Sequence, residues 1–308
     1  MNVQRDGLFL ADKESGITSH DAVDIFRRAS RIRKVGHTGT LDPLATGLLV
    51  LCVGTATRLQ SFLMRMEKTY EGTIQFGWAT DTYDVAGTPL GDPREASIEA
   101  LDLDALAEPF RGEIEQMPPQ FSAKKVQGVR AYEMARKGEV AALEAKQVTI
   151  YELELGLVSP SLASFRVRCS AGTYVRTIAQ DLGIATGMGA HLKSLRRTAI
   201  GAFHVRDAMA TPAIREASGD ELFRPPHFRR LDQVDLPLES VVIDRTQETK
   251  MRRGQSVVVK PQSATVKRKD LVSVRGVEGE LVAIAEIADV LREGGGPVML
   301  QPKVVLKG

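Results

Sequence analysis

Between Gly36 and Thr57 the chain reads GHTGTLDPLATGLLVLCVGTAT, and this stretch limits the possible folds more than any other. Its second half, LLVLCV at 48–53, is short and unbroken in its apolar character. Such a run reads as a buried strand, and Gly54 ends it. Its first half is a loop of small and hydroxylated residues, Gly36, Thr38, Gly39, Thr40 and Thr46, around one formally charged side chain, Asp42. In a chain that is 26% charged, no Lys or Arg stands near this acid in sequence. On residue type alone an Asx-type turn or cap accounts for it. A loop that feeds a buried strand also lines a core-facing cleft, where a carboxylate is available as a nucleophile or base.

The rest of the chain reads as a mixture of strands and helices. Gly7–Ala11 is expected to be a strand. A helix follows from about Asp21, opened by the capping pattern of Thr18 with Asp21 and continued by Ala22, Phe26 and Ala29. A helix is expected over 58–66. KTYEGTIQFG alternates, with Tyr70, Ile74 and Phe76 on one face and Thr69, Glu71, Thr73 and Gln75 on the other. Residues 79–93 are loop chemistry, and a helix is expected from about Glu99 to Phe110. Residues 116–146 begin with a Pro pair and turn basic, with Phe and Tyr interspersed, which suggests an inserted arm. VTIYELELGLV and SFRVRCS alternate as strands, and TYVRTIAQDL is a short helix. The polar stretch 216–233 looks like a linker. The runs SVVVK, LVSVR, ELVAIAEI and VMLQPKVVL then suggest a small β-barrel.

Composition narrows the function. No stretch offers 18 apolar residues without a charge, so no membrane span is expected, and no signal-like region opens the chain. Cys52 and Cys169 sit in apolar or alternating runs and read as buried free thiols of a reducing compartment. No Cys/His cluster has metal-ligand spacing, so no metal site is expected. The net charge of +2 is unevenly spread: residues 240–308 hold 12 Lys and Arg against 8 Asp and Glu. Arg27, Arg28, Arg31, Arg33 and Lys34 form a block without an acid. Lys124, Lys125, Arg130, Arg136 and Lys137 form a looser one, and Lys193, Arg196 and Arg197 a third. Each alone reads as a solvated face; together they could follow a phosphate backbone.

Four more residues stand out. Tyr70 is on an apolar strand face, where core packing is the default; at a cleft edge its ring could stack on a base. Arg176 is out of character in its apolar and small-residue turn and calls for a carboxylate or phosphate partner. Tyr174, two positions earlier, points to a different face. His37 is a lone loop histidine, either a surface residue or an RNA contact. These residues describe a cleft with one acid and a stacking platform beside basic patches. They do not specify a reaction.

GHTGTLDPLATGLL closely resembles the signature of the bacterial tRNA pseudouridine-55 synthases, the TruB type. ADKESGITSHDAV, EKTYEGTIQFGWATDTYDVAG, CSAGTYVRTIAQDLG and GAHLKSLRRTAIGAF resemble further segments of that family, in family order across 7–205. Two positions depart from its pattern: Glu14 follows Asp12-Lys13 where Pro is usual, and Tyr83 follows Thr80-Asp81-Thr82 where a small polar residue is.

The resemblance implies an α+β fold. It has a mixed, mainly antiparallel central sheet with flanking helices and an RNA-gripping arm at about 116–146, plus a small C-terminal PUA-like barrel. Residues 1–235 would be the catalytic domain and 240–308 the RNA-binding one. The implied activity is isomerisation of uridine 55 in the tRNA T-loop to pseudouridine, without cofactor or metal, by a cytoplasmic monomer needing tRNA but no obligatory protein partner and no membrane. Asp42 would be the catalytic aspartate and Arg176 its basic partner. Tyr70 would stack on the target base, His37 would help evert the loop, and Tyr174 and Leu195 would line the pocket. The nucleotide must be flipped to be reached. An Arg partner is expected to lower the Asp42 pKa, and Leu41, Pro43 and Leu44 to wall the pocket. Two alternatives are an RNA chaperone for tRNA folding with incidental catalysis, and a guide-RNA-dependent synthase related to dyskerin.

Overall fold

The run at 48–53 lies in the interior of an 11-stranded sheet. The computed structural model describes residues 5–121, 125–126, 129–130, 134, 138–139, 141–234, 236–261, 267–291 and 296–306. Its elements in chain order are β1 (Gly7–Lys13), α1 (Ser19–Ser30), β2 (Val35–His37), β3 (Thr46–Val53), α2 (Gln60–Leu63), β4 (Lys68–Phe76), α3 (Leu103–Ala107) and β5 (Gly112–Gln116). Next come β6 (Lys125–Val126), β7 (Val129–Arg130), β8 (Lys146–Ser159), β9 (Leu162–Cys169), α4 (Val175–Thr186), β10 (Ala190–Ile200), β11 (Phe203–His204), β12 (Met209–Ala210), α5 (Thr211–Glu216) and β13 (Phe228–Arg230). The chain ends with β14 (Glu239–Val242), α6 (Arg245–Arg252), β15 (Val257–Val259), β16 (Leu271–Arg275), β17 (Leu281–Val290) and β18 (Val298–Val305).

The large sheet runs β12-β1-β3-β10-β4-β9-β8-β5, with β2, β11 and β13 added beside β3, β10 and β1. Its pairs are antiparallel except β1 with β12 and β3 with β10. Every residue of β3 from Gly47 to Val53 is buried, because α1 covers one face and the C-terminal unit the other. Such a strand reads as continuously apolar rather than alternating. The Thr18–Asp21 capping box opens α1, as the sequence implies. The helices expected at 58–66 and 99–110 are shorter than expected: each is a short α-helix joined to a 3-10 turn.

Much of the expected arm, including Lys124, Arg136 and Lys137, lies outside the described residues. Its root is stitched together: the Gln120 amide accepts from the Ala141 N–H at 2.9 Å and donates to the Ala141 carbonyl at 3.2 Å.

The C-terminal strands run β14-β16-β17-β18-β15 and form a curled half-barrel rather than a closed one. The stretch 216–233 is not a free linker. Phe228 opens β13, which pairs antiparallel with β1, and Leu222 and Phe228 are buried against α1. Leu281, Ile284 and Leu306 share one core with Leu8, Leu10, Leu48 and Val50. The half-barrel is therefore packed against the sheet that carries the site. Ile284→Ala should destabilise by about 2–5 kcal/mol. Trp78, the only tryptophan, follows β4 in the large sheet. Its fluorescence should report a lower unfolding midpoint in that variant; an unchanged Trp78 transition would mean that the two units unfold independently.

Candidate active site

Asp42 is set in its loop by two buried side chains from the N-terminal segment. The Ser19 hydroxyl accepts from the Leu41 N–H at 2.8 Å and donates to the Leu41 carbonyl at 3.1 Å. The fully buried Lys13 ammonium donates to the carbonyls of Ile17 at 2.8 Å and Pro43 at 3.3 Å. The residues on either side of Asp42 are thus pinned to the scaffold. The Asp42 side chain makes no Asx turn. It pairs with Arg176, whose Nε lies 2.9 Å from Oδ2.

Arg176 belongs to the first turn of α4. Tyr174, the residue before that helix, is held by buried Gln116 at the end of β5: Gln116 Oε1 accepts from the Tyr174 N–H at 2.6 Å and Nε2 donates to its carbonyl at 3.0 Å. The Arg176 guanidinium is almost enclosed. It donates to the Thr82 carbonyl at 3.0 Å and the Phe121 carbonyl at 2.9 Å, and Nη1 lies 3.5 Å from the buried Asp84 carboxylate. Asp84 and Gln116 were not anticipated. The sequence of loop 79–93 gives no reason to select one of its three acids, and only the fold brings Asp84 to α4.

Asp42, Tyr70, Tyr174, Arg176 and Leu195 line one cavity of about 310 Å³, together with Leu41, Lys68 and Arg197. This is at the small end of the ~300–1,000 Å³ common for small-molecule sites. Two other grooves are roomier, at about 580 and 560 Å³, but neither contains Asp42. Pro43 does not line the cavity, and Leu44 faces the second of those grooves. Of the expected apolar wall of Leu41, Pro43 and Leu44, only Leu41 lines the cavity. His37 is outside the lining, at the end of β2, where its Nδ1 accepts from the Gly39 N–H at 3.3 Å. Glu14 pairs with Arg215 of α5 at 2.6 Å. Tyr83 takes a left-handed φ of 63°, so the bulkier residue sits where a small polar one is easier.

The Asp42 carboxyl is pushed above its ordinary value of 3.8, against the expectation of a lowered pKa. Arg176 does favour the anion, but loss of hydration outweighs it, and Asp84 adds repulsion. Burial also raises the Tyr70 hydroxyl, so this ring is a neutral platform. Burial and the nearby Arg197 lower His37, which is therefore uncharged at neutral pH. Among the described residues no group of three or more His, Cys, Asp or Glu could hold a metal, and no helix is long and apolar enough to cross a membrane.

A carboxylate held by arginine in a cavity of about 310 Å³, beside a tyrosine ring, occurs here on a fold with solved relatives. The architecture matches a solved complex of Cbf5 with Nop10 and Gar1, at a TM-score of 0.76 and 25% identity over 98% of this chain and 85% of that one. It also matches a chain of an H/ACA RNP bound to a substrate RNA containing 2′-deoxyuridine, at a TM-score of 0.75 and 22% identity over 99% and 86%. The fold is that of these solved structures, and family models place the chain among the pseudouridine synthases. The model of the TruB family pseudouridylate synthase N-terminal domain matches residues 27–175, and that of the tRNA pseudouridylate synthase B C-terminal domain matches 176–243. The tRNA pseudouridine synthase B of Solibacter usitatus is 42% identical over 92% of this chain and 96% of that protein, and that of Aquifex aeolicus 38% over 83% and 88%. The chain belongs to the TruB family of tRNA pseudouridylate synthases, which isomerise uridine to pseudouridine in tRNA.

The raised Asp42 pKa has a consequence for stability. A group that binds its proton more tightly when folded loses stability as pH rises from the unfolded value through the folded one. Ionised Asp42 therefore costs the free protein stability at neutral pH. Asp42→Asn should have a higher thermal midpoint than the wild type at pH 7, with the difference fading below about pH 4. An equal or lower midpoint at pH 7 would show that the Arg176 pair outweighs desolvation.

Proposed function

We propose that this enzyme isomerises uridine 55 of the tRNA T-loop, with Asp42 as the catalytic carboxylate. The observation that carries the reading is the Asp42–Arg176 pair inside the Tyr70 cavity. The target nucleotide is flipped out of its loop, because its C1′–N1 bond cannot be reached otherwise. Tyr70 stacks on the base, and such a stack is worth about 1–3 kcal/mol. Tyr174 and Leu195 pack around it, and Leu41 closes the cavity against water, which keeps the detached base from escaping.

Arg176 fixes the carboxylate against the nucleoside and opposes its protonation. Asp42 can attack C1′, attack C6 or take the C2′ proton; each route uses the ionised acid. The net reaction replaces the C1′–N1 bond by C1′–C5, with one proton lost at C5 and one gained at N1. It transfers no electrons to another molecule, so the residues of the cavity suffice without a redox cofactor or metal. Neutral His37, at the entrance to the catalytic loop, acts on the everted nucleotides by stacking or hydrogen bonding rather than by charge.

In this reading residues 1–235 are the catalytic domain and 240–308 a PUA-like RNA-binding domain, and the arm at about 116–146 grips the T-loop. The protein works in the cytoplasm as a monomer, without an obligatory protein partner. The exposed Arg31, Arg33 and Lys34 lie just before β2 and the catalytic loop, in position to meet tRNA phosphates.

Asp42→Ala should abolish tritium release from 5-tritiated uridine in a T-stem-loop while binding it within about threefold of wild type. Retained release would end the assignment. Release from a transcript in which only position 55 is changed would move the target elsewhere. Affinity should fall steeply with salt, and Arg33→Glu with Lys34→Glu should flatten the log–log slope by about one unit per lost phosphate contact. An unchanged slope would remove the 27–34 block from the interface.

A further inference from the structure

Lys68 and Arg197 are cations of the cavity to which uridine isomerisation by Asp42 and Arg176 assigns no part. Both are buried, and among the described residues neither forms an ion pair. Arg197 on β10 donates from Nε to the Leu48 carbonyl at 2.7 Å and from Nη2 to the Gly39 carbonyl at 3.1 Å, beneath the catalytic loop. Lys68 opens β4. It lies two residues before Tyr70, on the same face of the strand, and lines the same cavity. Its ammonium donates to the carbonyls of Met64 and Met66, both at 2.5 Å. An ammonium has three N–H donors, so one is left over.

A buried ammonium without a carboxylate partner is costly, and here, among the described residues, no acid forms an ion pair with it. The reaction supplies what is missing. When C1′–N1 breaks, the electron pair stays on N1 and spreads to the O2 and O4 carbonyls of the uracil. When C6 is attacked instead, the charge appears on O4. Every route therefore places a negative charge on the pyrimidine. The RNA phosphates stay with the backbone outside the cavity, whereas Tyr70 holds the base within it.

The geometry points to Lys68 as a further catalytic residue, whose free N–H donates to a carbonyl oxygen of the uracil and stabilises the anion that forms before C5 bonds to C1′. Lys68 transfers no proton. It holds the charge until C5 has bonded, the C5 proton has left and N1 has taken one up. This inference rests on the flipped-uridine reading of the cavity. A donor of this kind, placed where charge develops, contributes about 10²–10³ in rate.

The test is single-turnover tritium release with Lys68→Met and Lys68→Arg, alongside T-stem-loop affinity and thermal midpoint. Wild type and Asp42→Ala serve as controls. A wild type that releases no tritium overturns the flipped-uridine reading and the role of Lys68 with it; with an active wild type, the variants test Lys68 alone. Lys68→Met should lower the rate at pH 7 by about 100-fold or more, with RNA affinity within about threefold of wild type, and Lys68→Arg should recover part of it.

The pH profile separates this from a purely structural role. Lys68 is lowered to about 8 by burial and by Arg197, with Cys169 of β9 opposing weakly. The wild-type rate should fall as pH rises through that value. That limb should vanish in Lys68→Met and move to higher pH in Lys68→Arg, while the ionisation of uridine N3 affects all variants alike. A Lys68→Met rate within tenfold of wild type, or a limb near pH 8 that survives the substitution, overturns the inference. A loss of activity matched by loss of RNA binding and of thermal midpoint overturns it too.

Discussion

The site depends on one guanidinium. Arg176 has nearly all its donors committed, and its partners come from segments with no local reason to meet: Asp42 from the β2–β3 loop, Thr82 and Asp84 from loop 79–93, and Phe121 from the root of the arm. A buried Arg is stable only when its fork is filled, so folding α4 against β10 recruits all these segments at once. Losing any one partner leaves a buried donor without an acceptor, at a cost of about 1–3 kcal/mol. The same contacts fix the Asp42 carboxylate. Arg176 therefore serves stability and geometry together, and a lysine, with a point charge in place of a planar fork, could not bridge the two acids and two carbonyls in the same way.

The second constraint is the depth of the sheet beneath the site. β3 is covered on both faces, by α1 and by the C-terminal half-barrel. Its neighbour β10 carries Leu195 and Arg197 into the cavity, and at Gly47 the two strands approach so closely that a Cβ would lie 2.3 Å from the Arg197 carbonyl oxygen. The loop that carries Asp42 is consequently a short excursion from rigid strands, pinned again at Leu41 by Ser19 and at Pro43 by Lys13. Preorganisation of this kind holds the Asp42 carboxylate in one place against the cavity walls.

How far the sequence discloses all this depends on range. The capping box at Thr18 and the buried run at 48–53 are local patterns, and the structure has them where the residues imply; the strand around Tyr70 forms, but Thr69 and Gln75 on its expected polar face are buried as well. Arg176 announces only that it needs an acidic partner, and it has two. Asp84 and Gln116 gave no signal, because their roles arise from contacts between segments far apart in the chain. The stretch 216–233 misleads for a related reason: its few apolar residues, Leu222, Phe223 and Phe228, follow neither helix nor strand periodicity, yet they fill the core around Phe9 and Phe26. The direction of the Asp42 shift was equally hidden. A partner is visible in sequence, but the dehydration that outweighs it exists only once the cavity is built.

The charge pattern ties these observations together. Asp42 has no cationic neighbour in sequence, and the cations that act on it arrive from elsewhere, Arg176 from α4 and Lys13 from β1, while Arg197 of β10 and Lys68 of β4 line the same cavity. A lysine beside Asp42 in the loop would bring a long, mobile side chain that could swing to solvent. Cations held on strands and a helix by backbone carbonyls cannot move away. Arg176, Lys68 and Arg197 give the cavity more fixed positive charge than Asp42 and the adjoining Asp84 neutralise, and the neutral Tyr70 adds none. Such a field is unfavourable for the free protein and favours any bound group that becomes anionic. Loss of hydration raises the Asp42 carboxyl, and the cations of the cavity are only partly neutralised, so the resting site carries a cost in stability that a bound anionic group would relieve.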